Sequence, residues 1–254
     1  MGAPKPPRIV AGGAAGGRSR ESIRLEVLGS LELHVGGRRE RLPTHAQRLL
    51  AFLAVQRRSL HRAYVAGRLW PASTQERAFG ALRTTLWRVR RLPTPILEVS
   101  AAQVALAPGV VVDLGELEDA VSRVLGHAAL PTSGDVDLLV HARPLLPDWY
   151  EDWAADAREE IGQRRLVALE TASSRLVGTS RQAEAATAAL AAVAADPLRE
   201  SARRALITSQ LGEGNLAEAA RQYASFCSRL GREVGLEPSP RIRDLARMFD
   251  VSPG

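Results

Sequence analysis

Cysteine, lysine, aromatic residues and long apolar runs are all scarce in this chain. One cysteine, Cys227, excludes an intramolecular disulfide and points to a reducing compartment. No run of about 18 consecutive apolar residues occurs, so no membrane span is expected. The stretch from Met1 to Ser22 lacks the apolar core of a signal peptide. These absences lead us to expect a cytoplasmic protein. Aromatics make up 4% of the 254 residues, whereas Ala and Leu dominate the second half and favour helix there.

Catalytic chemistry is thinly supplied too. The histidines His34, His45, His61, His127 and His141 are scattered without HExxH or Cys/His ligand spacing, so no metal is expected. Serine-hydrolase and Rossmann fingerprints are missing. The stretch Gly12 to Ser19 copies the spacing of a phosphate-binding loop, with Arg18 in place of lysine. A working loop of that kind follows a buried strand and opens a helix. This one follows a Pro-rich start, and residues 1–21 read as a flexible tail. We expect no catalytic site and no cofactor.

What is abundant is arginine, and it is unevenly placed. Lys5 is the only lysine. Residues 1–112 hold 18 Lys and Arg against 6 Asp and Glu, a net +12, and residues 113–254 hold 16 against 22, a net −6. A basic first half on an acidic second half suggests that one end meets a polyanion and the other does not.

Periodicity divides the chain similarly. Ile23–Val27 and Leu31–Val35 alternate apolar and polar residues, which predicts two antiparallel strands closed by Gly36-Gly37, with a third short strand at 40–42. Three helices are expected next. Thr44 with Gln47, then Ser59, then Ser73 with Glu76 supply their caps. The third helix runs over 74–91 until Pro93 and Pro95, and a hairpin follows at 96–99 and 104–106. Strands, three helices and a hairpin within about 90 residues make a winged helix-turn-helix, placed at 22–112.

From Leu114 onward the pattern is helical: 114–125, a segment including 138–143, a long helix over 149–177, then helices near Ser180, Pro197 (Asp196 as cap), Asn215 and Pro240 (Ser239 as cap). Gly178, Ala183, Glu184, Ala185 and Ala186 recur 34 residues later as Gly212, Ala217, Glu218, Ala219 and Ala220. That is the tetratricopeptide period, although a generic Ala-rich bundle fits the same composition. The fold class expected is mainly α with small β: a winged helix-turn-helix at 22–112, then an all-α tetratricopeptide-like domain at 113–250.

On a helical wheel of 74–91, Ala78, Leu82, Thr85, Leu86 and Val89 share one face, with Phe79 at its margin. Arg77, Gly80, Arg83, Thr84, Trp87, Arg88 and Arg91 share the other. A major groove about 12 Å wide accepts one helix, and arginine there bonds guanine O6 and N7 bidentately. Arg90 sits at the flank and suits a phosphate. An exposed Trp87 supports a recognition role, and a buried one weakens it. Trp70 ends an apolar helix and reads as core. The hairpin contains no basic residue, and with Gln103 as its one obvious candidate a weak wing contact is expected.

The chain resembles the antibiotic-regulatory (SARP-type) transcriptional activators of actinomycetes, which join an OmpR-like winged helix to a bacterial transcriptional activator domain. The resemblance covers about 23–250. It rests on Leu69-Trp70-Pro71, the run 81–91, Leu145 to Trp153, Pro197-Leu198-Arg199-Glu200, and Gly235 to Pro240. Two departures stand out: His45 where a basic residue is frequent, and a hairpin lacking the Gly-Tyr of many members.

The resemblance implies binding to direct repeats of double-stranded DNA near a promoter as a side-by-side homodimer, contact with RNA polymerase, and control of secondary-metabolite genes. It gives Arg83, Thr84, Trp87, Arg88 and Arg91 the recognition role, and assigns polymerase contact to Pro71, Ala72, Ser73 and Thr74. Three other readings stay open. One is a helical-repeat protein–protein adaptor with only non-specific DNA affinity, another a nucleotide switch at 12–19, and the third a small-ligand sensor between the helices.

Overall fold

A computed structural model describes residues 22–126 and 128–248. The tail 1–21, with its loop-like run 12–19, and His127 lie outside them. Period-two alternation puts Ile23, Leu25, Leu33 and Val35 inside, on strands β1 (Ile23–Glu26) and β2 (Glu32–Val35), which pair antiparallel from Ile23↔Val35 to Glu26↔Glu32. The turn Gly36-Gly37 holds positive φ at both residues, where a Cβ is disfavoured, and leads into β3 (Arg38–Glu40). That strand lies earlier than the expected 40–42.

Three helices follow: α1 (Thr44–Gln56), α2 (Arg62–Leu69) and α3 (Gln75–Val89). Their caps differ from the sequence reading. Pro43 is the N-cap of α1, and Gln47 donates to Leu42 O at 2.8 Å instead of closing a box with Thr44. Ser59 caps nothing, because Leu60–His61 is drawn into a short strand, β4, and delays α2 to Arg62. Thr74, not Ser73, caps α3, its hydroxyl accepting from Arg77 N at 3.5 Å.

The hairpin comprises β5 (Leu97–Val99) and β6 (Gln103–Leu106), and β6 also pairs with β4. A further strand, β7 (Val110–Val112), was not expected. It joins β1 in parallel to complete a four-stranded sheet of order β3-β2-β1-β7.

The remaining helices are α4 (Asp113–Leu125), α5 (Ser133–His141), α6 (Asp152–Leu176), α7 (Gln182–Ala195), α8 (Glu200–Gly212), α9 (Leu216–Val234) and α10 (Pro240–Ala246). Helix α5 starts before 138 because Thr132 and Asp135 form a reciprocal capping box. Asp196 caps no helix. Its carboxylate accepts from Leu198 N at 3.2 Å, and α8 begins only at Glu200. Ser239 stands at the N-cap of α10 with its N–H and hydroxyl both donating to Glu200, which ties α10 to α8.

Helices α6 to α9 pack successively, as stacked helix pairs do. The 34-residue repeat has a structural basis, since Ala185 and Ala219 are both fully buried one turn into their helices. Gln182 holds the joint, donating to Ser209 O and accepting from Gly178 N, both at 2.9 Å. A Cβ on Gly212 would fall 2.6 Å from Gln182 Nε2, so a larger residue there would displace the Gln182 amide from this joint.

One apolar core runs from Ile23 to Ala202 without a break at the 112/113 junction. Asp113 secures that junction, its carboxylate accepting from the N–H groups of Val27 (2.9 Å), Leu28 (3.0 Å) and Leu114 (2.8 Å). Across the same joint Leu146 N donates to Val27 O at 3.0 Å and Gly29 N to Pro144 O at 2.8 Å. A second small core, around Phe226 and Ile242, closes the far end.

Candidate nucleic-acid interface

Helix α3 is amphipathic in the way its sequence requires. Ala78, Leu82, Thr85, Leu86 and Val89 are buried against α1 and α2, and the Thr85 hydroxyl is satisfied by Ala81 O at 2.8 Å. Phe79 is half-buried. On the outward face Arg77, Arg83, Thr84, Trp87, Arg88, Arg90 and Arg91 are all exposed.

Trp87 is 58% exposed, and Arg91 Cζ lies 4.7 Å from its ring centroid. The guanidinium thus packs on a large apolar ring that contributes nothing to the core, an arrangement worth about 0.5–1 kcal/mol in water. The Thr84 hydroxyl donates to Gly80 O at 3.1 Å, which leaves its oxygen lone pairs outward. Gly80 keeps the surface low, the nearest side-chain atom to a Cβ there being Arg83 Nη2 at 3.8 Å. Trp70 is half-buried against the core, its ring 5.9 Å from that of His45.

Several arginines elsewhere are paired with carboxylates: Arg24 with Glu116 (2.8 Å), Arg48 with Glu151 (2.9 Å), Arg123 with Asp135 (2.6 Å), Arg199 with Glu170 (2.7 Å). Among the described residues, no carboxylate lies within ion-pairing distance of Arg77, Arg83, Arg88, Arg90 or Arg91. Five exposed guanidinium groups on one helix side and its end, without internal counter-ions, make a phosphate-attracting surface.

The turn Pro71, Ala72, Ser73 and Thr74 is exposed beside this face, held by Ser73 N donating to Trp70 O at 3.1 Å. The hairpin tip, Ser100 to Gln103, is closed by Ser100 N on Gln103 O and Gln103 N on Ser100 Oγ, both 2.9 Å. Gln103 is turned to Ser59, whose hydroxyl donates to it at 3.2 Å. Arg62 is the basic residue that sequence reasoning missed here. It lies beside the tip although about 40 positions separate them, brought there by the β4–β6 pairing.

The one grouping of potential metal ligands among the described residues, Glu26, Glu32 and His34, is occupied internally. Arg24 pairs with Glu26 at 3.4 Å, and Arg39 with Glu32 at 3.2 Å.

Fold and site together define a winged-helix protein with a helical-repeat second half. Residues 137–248 match the family model of the bacterial transcriptional activator domain. The regulatory protein AfsR of Streptomyces coelicolor is 30% identical over 253 aligned residues, which take in 91% of this chain and 25% of AfsR. The chain therefore spans about a quarter of that relative. A structure of Mycobacterium tuberculosis EmbR, in complex with a low-affinity phosphopeptide, superposes with a TM-score of 0.66 at 19% identity, over 90% of this chain and 65% of that one. Residues 137–248 thus resemble the bacterial transcriptional activator domain, and the chain as a whole is similar to a quarter of a regulatory protein and to the fold of EmbR. No helix among the described residues is long and apolar enough to cross a membrane.

Proposed function

We propose that this chain is a sequence-specific DNA-binding transcriptional activator. It seats α3 in a major groove, with Arg83, Thr84, Trp87, Arg88 and Arg91 toward the base edges and Arg77 and Arg90 toward phosphates. The observation that carries this reading is the outward face of α3: five arginines with no internal carboxylate partner beside a tryptophan 58% exposed. Arginine free of carboxylates has its donors available for guanine and phosphate.

The likeness to SARP-type regulators supports the finer features. Two copies would lie side by side on direct repeats, the loop 71–74 would face RNA polymerase, and the genes controlled would be those of secondary metabolism. The acidic second half, net −6 over 113–254, is repelled by DNA and left available to protein surfaces.

The test is a genome-fragment binding selection with purified protein at about 150 mM salt, where purely electrostatic binding is screened. Enrichment of direct repeats about one helical turn apart is expected. Binding that is blind to sequence and vanishes at that salt would assign the chain to the adaptor class instead.

A further inference from the structure

The hairpin of β5 and β6 has no basic residue, yet two guanidinium groups from outside it are fastened to its backbone. Arg62, the first residue of α2, donates its main-chain N–H to Ala102 O at 2.8 Å and its Nη1 to Ala101 O at 3.4 Å. Arg90, at the end of α3, donates Nη2 to Val99 O at 3.3 Å. The two arginines come from different helices and flank the same short hairpin.

The arrangement follows from the strand pairing. Leu60 opposite Val104 and His61 opposite Gln103 bring the start of α2 alongside the hairpin tip. The tip residues Ala101 and Ala102 are small, so no bulky side chain stands between the Arg62 guanidinium and a surface approaching the tip. Glu98, the hairpin's one carboxylate, pairs with neither arginine. The Nε of Arg62 is buried without a protein acceptor. Arg62 is half-buried, so its exposed terminal nitrogens, not the enclosed Nε, are what a phosphate can reach, and the Ala101 carbonyl anchor lowers the rotamer entropy lost on binding.

We propose that Arg62 and Arg90 together replace a basic wing, gripping DNA phosphates beside the groove that α3 enters, with Arg62 as the contact at the hairpin tip. This rests on the DNA-binding reading above. The hairpin then acts as a scaffold of carbonyl groups that aims borrowed charge, and the absence of lysine and arginine from residues 96–106 no longer implies a silent wing.

The test uses the full chain and three variants, Arg62→Gln, Arg62→Ala and Arg83→Ala, on a duplex recovered by the selection and on a scrambled duplex. Glutamine keeps an amide donor for Ala101 O and removes the charge. Arg62→Gln is expected to lower the slope of log affinity against log salt by about one unit on both duplexes. It should also erase hydroxyl-radical protection at the outer edge of the footprint while base discrimination persists. Arg62→Gln with an unchanged slope and footprint, alongside loss of discrimination in Arg83→Ala, overturns the borrowed wing alone. A lowered melting temperature in Arg62→Ala with full protection by Arg62→Gln makes Arg62 a structural residue and overturns it as well. Unchanged discrimination in Arg83→Ala overturns the DNA-binding reading beneath it.

Discussion

Phe52 and Trp153 meet in a T-shaped contact, their ring centroids 5.2 Å apart and their planes at 78°. Phe52 belongs to α1 of the winged helix, and Trp153 opens α6 of the helical half. Around them the winged helix and the helical repeats share one buried core, so α3 and the helical half are held in a fixed relation.

Trp153→Ala should therefore damage both halves at once. The cost expected for emptying such a site is about 3–5 kcal/mol. Denaturant unfolding followed by far-UV dichroism and by tryptophan fluorescence should give coincident transitions, shifted together to lower midpoint. Two separated transitions would show that the halves fold independently.

In the proposed DNA-binding mode, base readout and phosphate neutralisation separate by position on α3. Arg83→Ala should relax specificity and cost on the order of 1–3 kcal/mol on the preferred duplex. Arg90→Ala should weaken preferred and scrambled DNA alike and flatten the salt slope by about one unit. Competition titrations at several salt concentrations check both, and a sequence-selective loss in Arg90→Ala would contradict its assignment.

Asp135 and Asp113 respond to pH in opposite directions. Burial opposes ionisation of Asp135, but hydrogen bonds from Arg123 and Thr132 outweigh it and hold the carboxyl below its ordinary value of 3.8. Folding thus favours the ionised form, a stabilisation fully present above about pH 3.8 and lost as pH falls through the lower folded value. Burial pushes Asp113 above 3.8 against three backbone donors, so its ionised form is penalised in the fold and relieved on acidification. Asp135→Asn should lower the urea midpoint at pH 7, with the gap to the native chain closing below about pH 3.8. A gap independent of pH would remove the ion pair from the account.

Arg203 is 5% exposed and has no carboxylate partner. Its Nη1 donates to Gln222 Oε1 at 2.5 Å, its Cζ lies 5.7 Å from the Phe226 centroid, and its Nε has no acceptor. Burial, reinforced by the nearby Arg229, lowers its affinity for a proton. Replacing an imperfectly paired buried charge by an apolar residue of similar volume is neutral or stabilising. Arg203→Met should keep or raise the melting temperature, measured calorimetrically. A drop of several degrees would show that the Gln222 bond outweighs the desolvation of the charge.

Local signals carried much of this fold. The alternation at Ile23–Glu26, the apolar stripe of α3 and the proline stops at 93 and 95 act over a few residues, where propensity and burial agree. Caps were less legible. Ser59 is a good capping residue by type, but pairing of Leu60 and His61 with β6 claims the backbone it would have capped. Likewise Val110–Val112 is too short to stand out until β1 lies parallel beside it.

The sequence alone determined the two-part charge distribution and the arginine face of α3, because helical periodicity maps neighbours in sequence onto one side of one element. Tertiary structure decided what no local rule reaches. Arg62 arrives at the hairpin tip only through a strand pairing across about 40 residues. Trp153 closes the winged helix only because α6 docks on α1. Both contacts join segments whose separation in sequence carries no periodic signal, and they form because one continuous core buries more apolar surface than two separate ones.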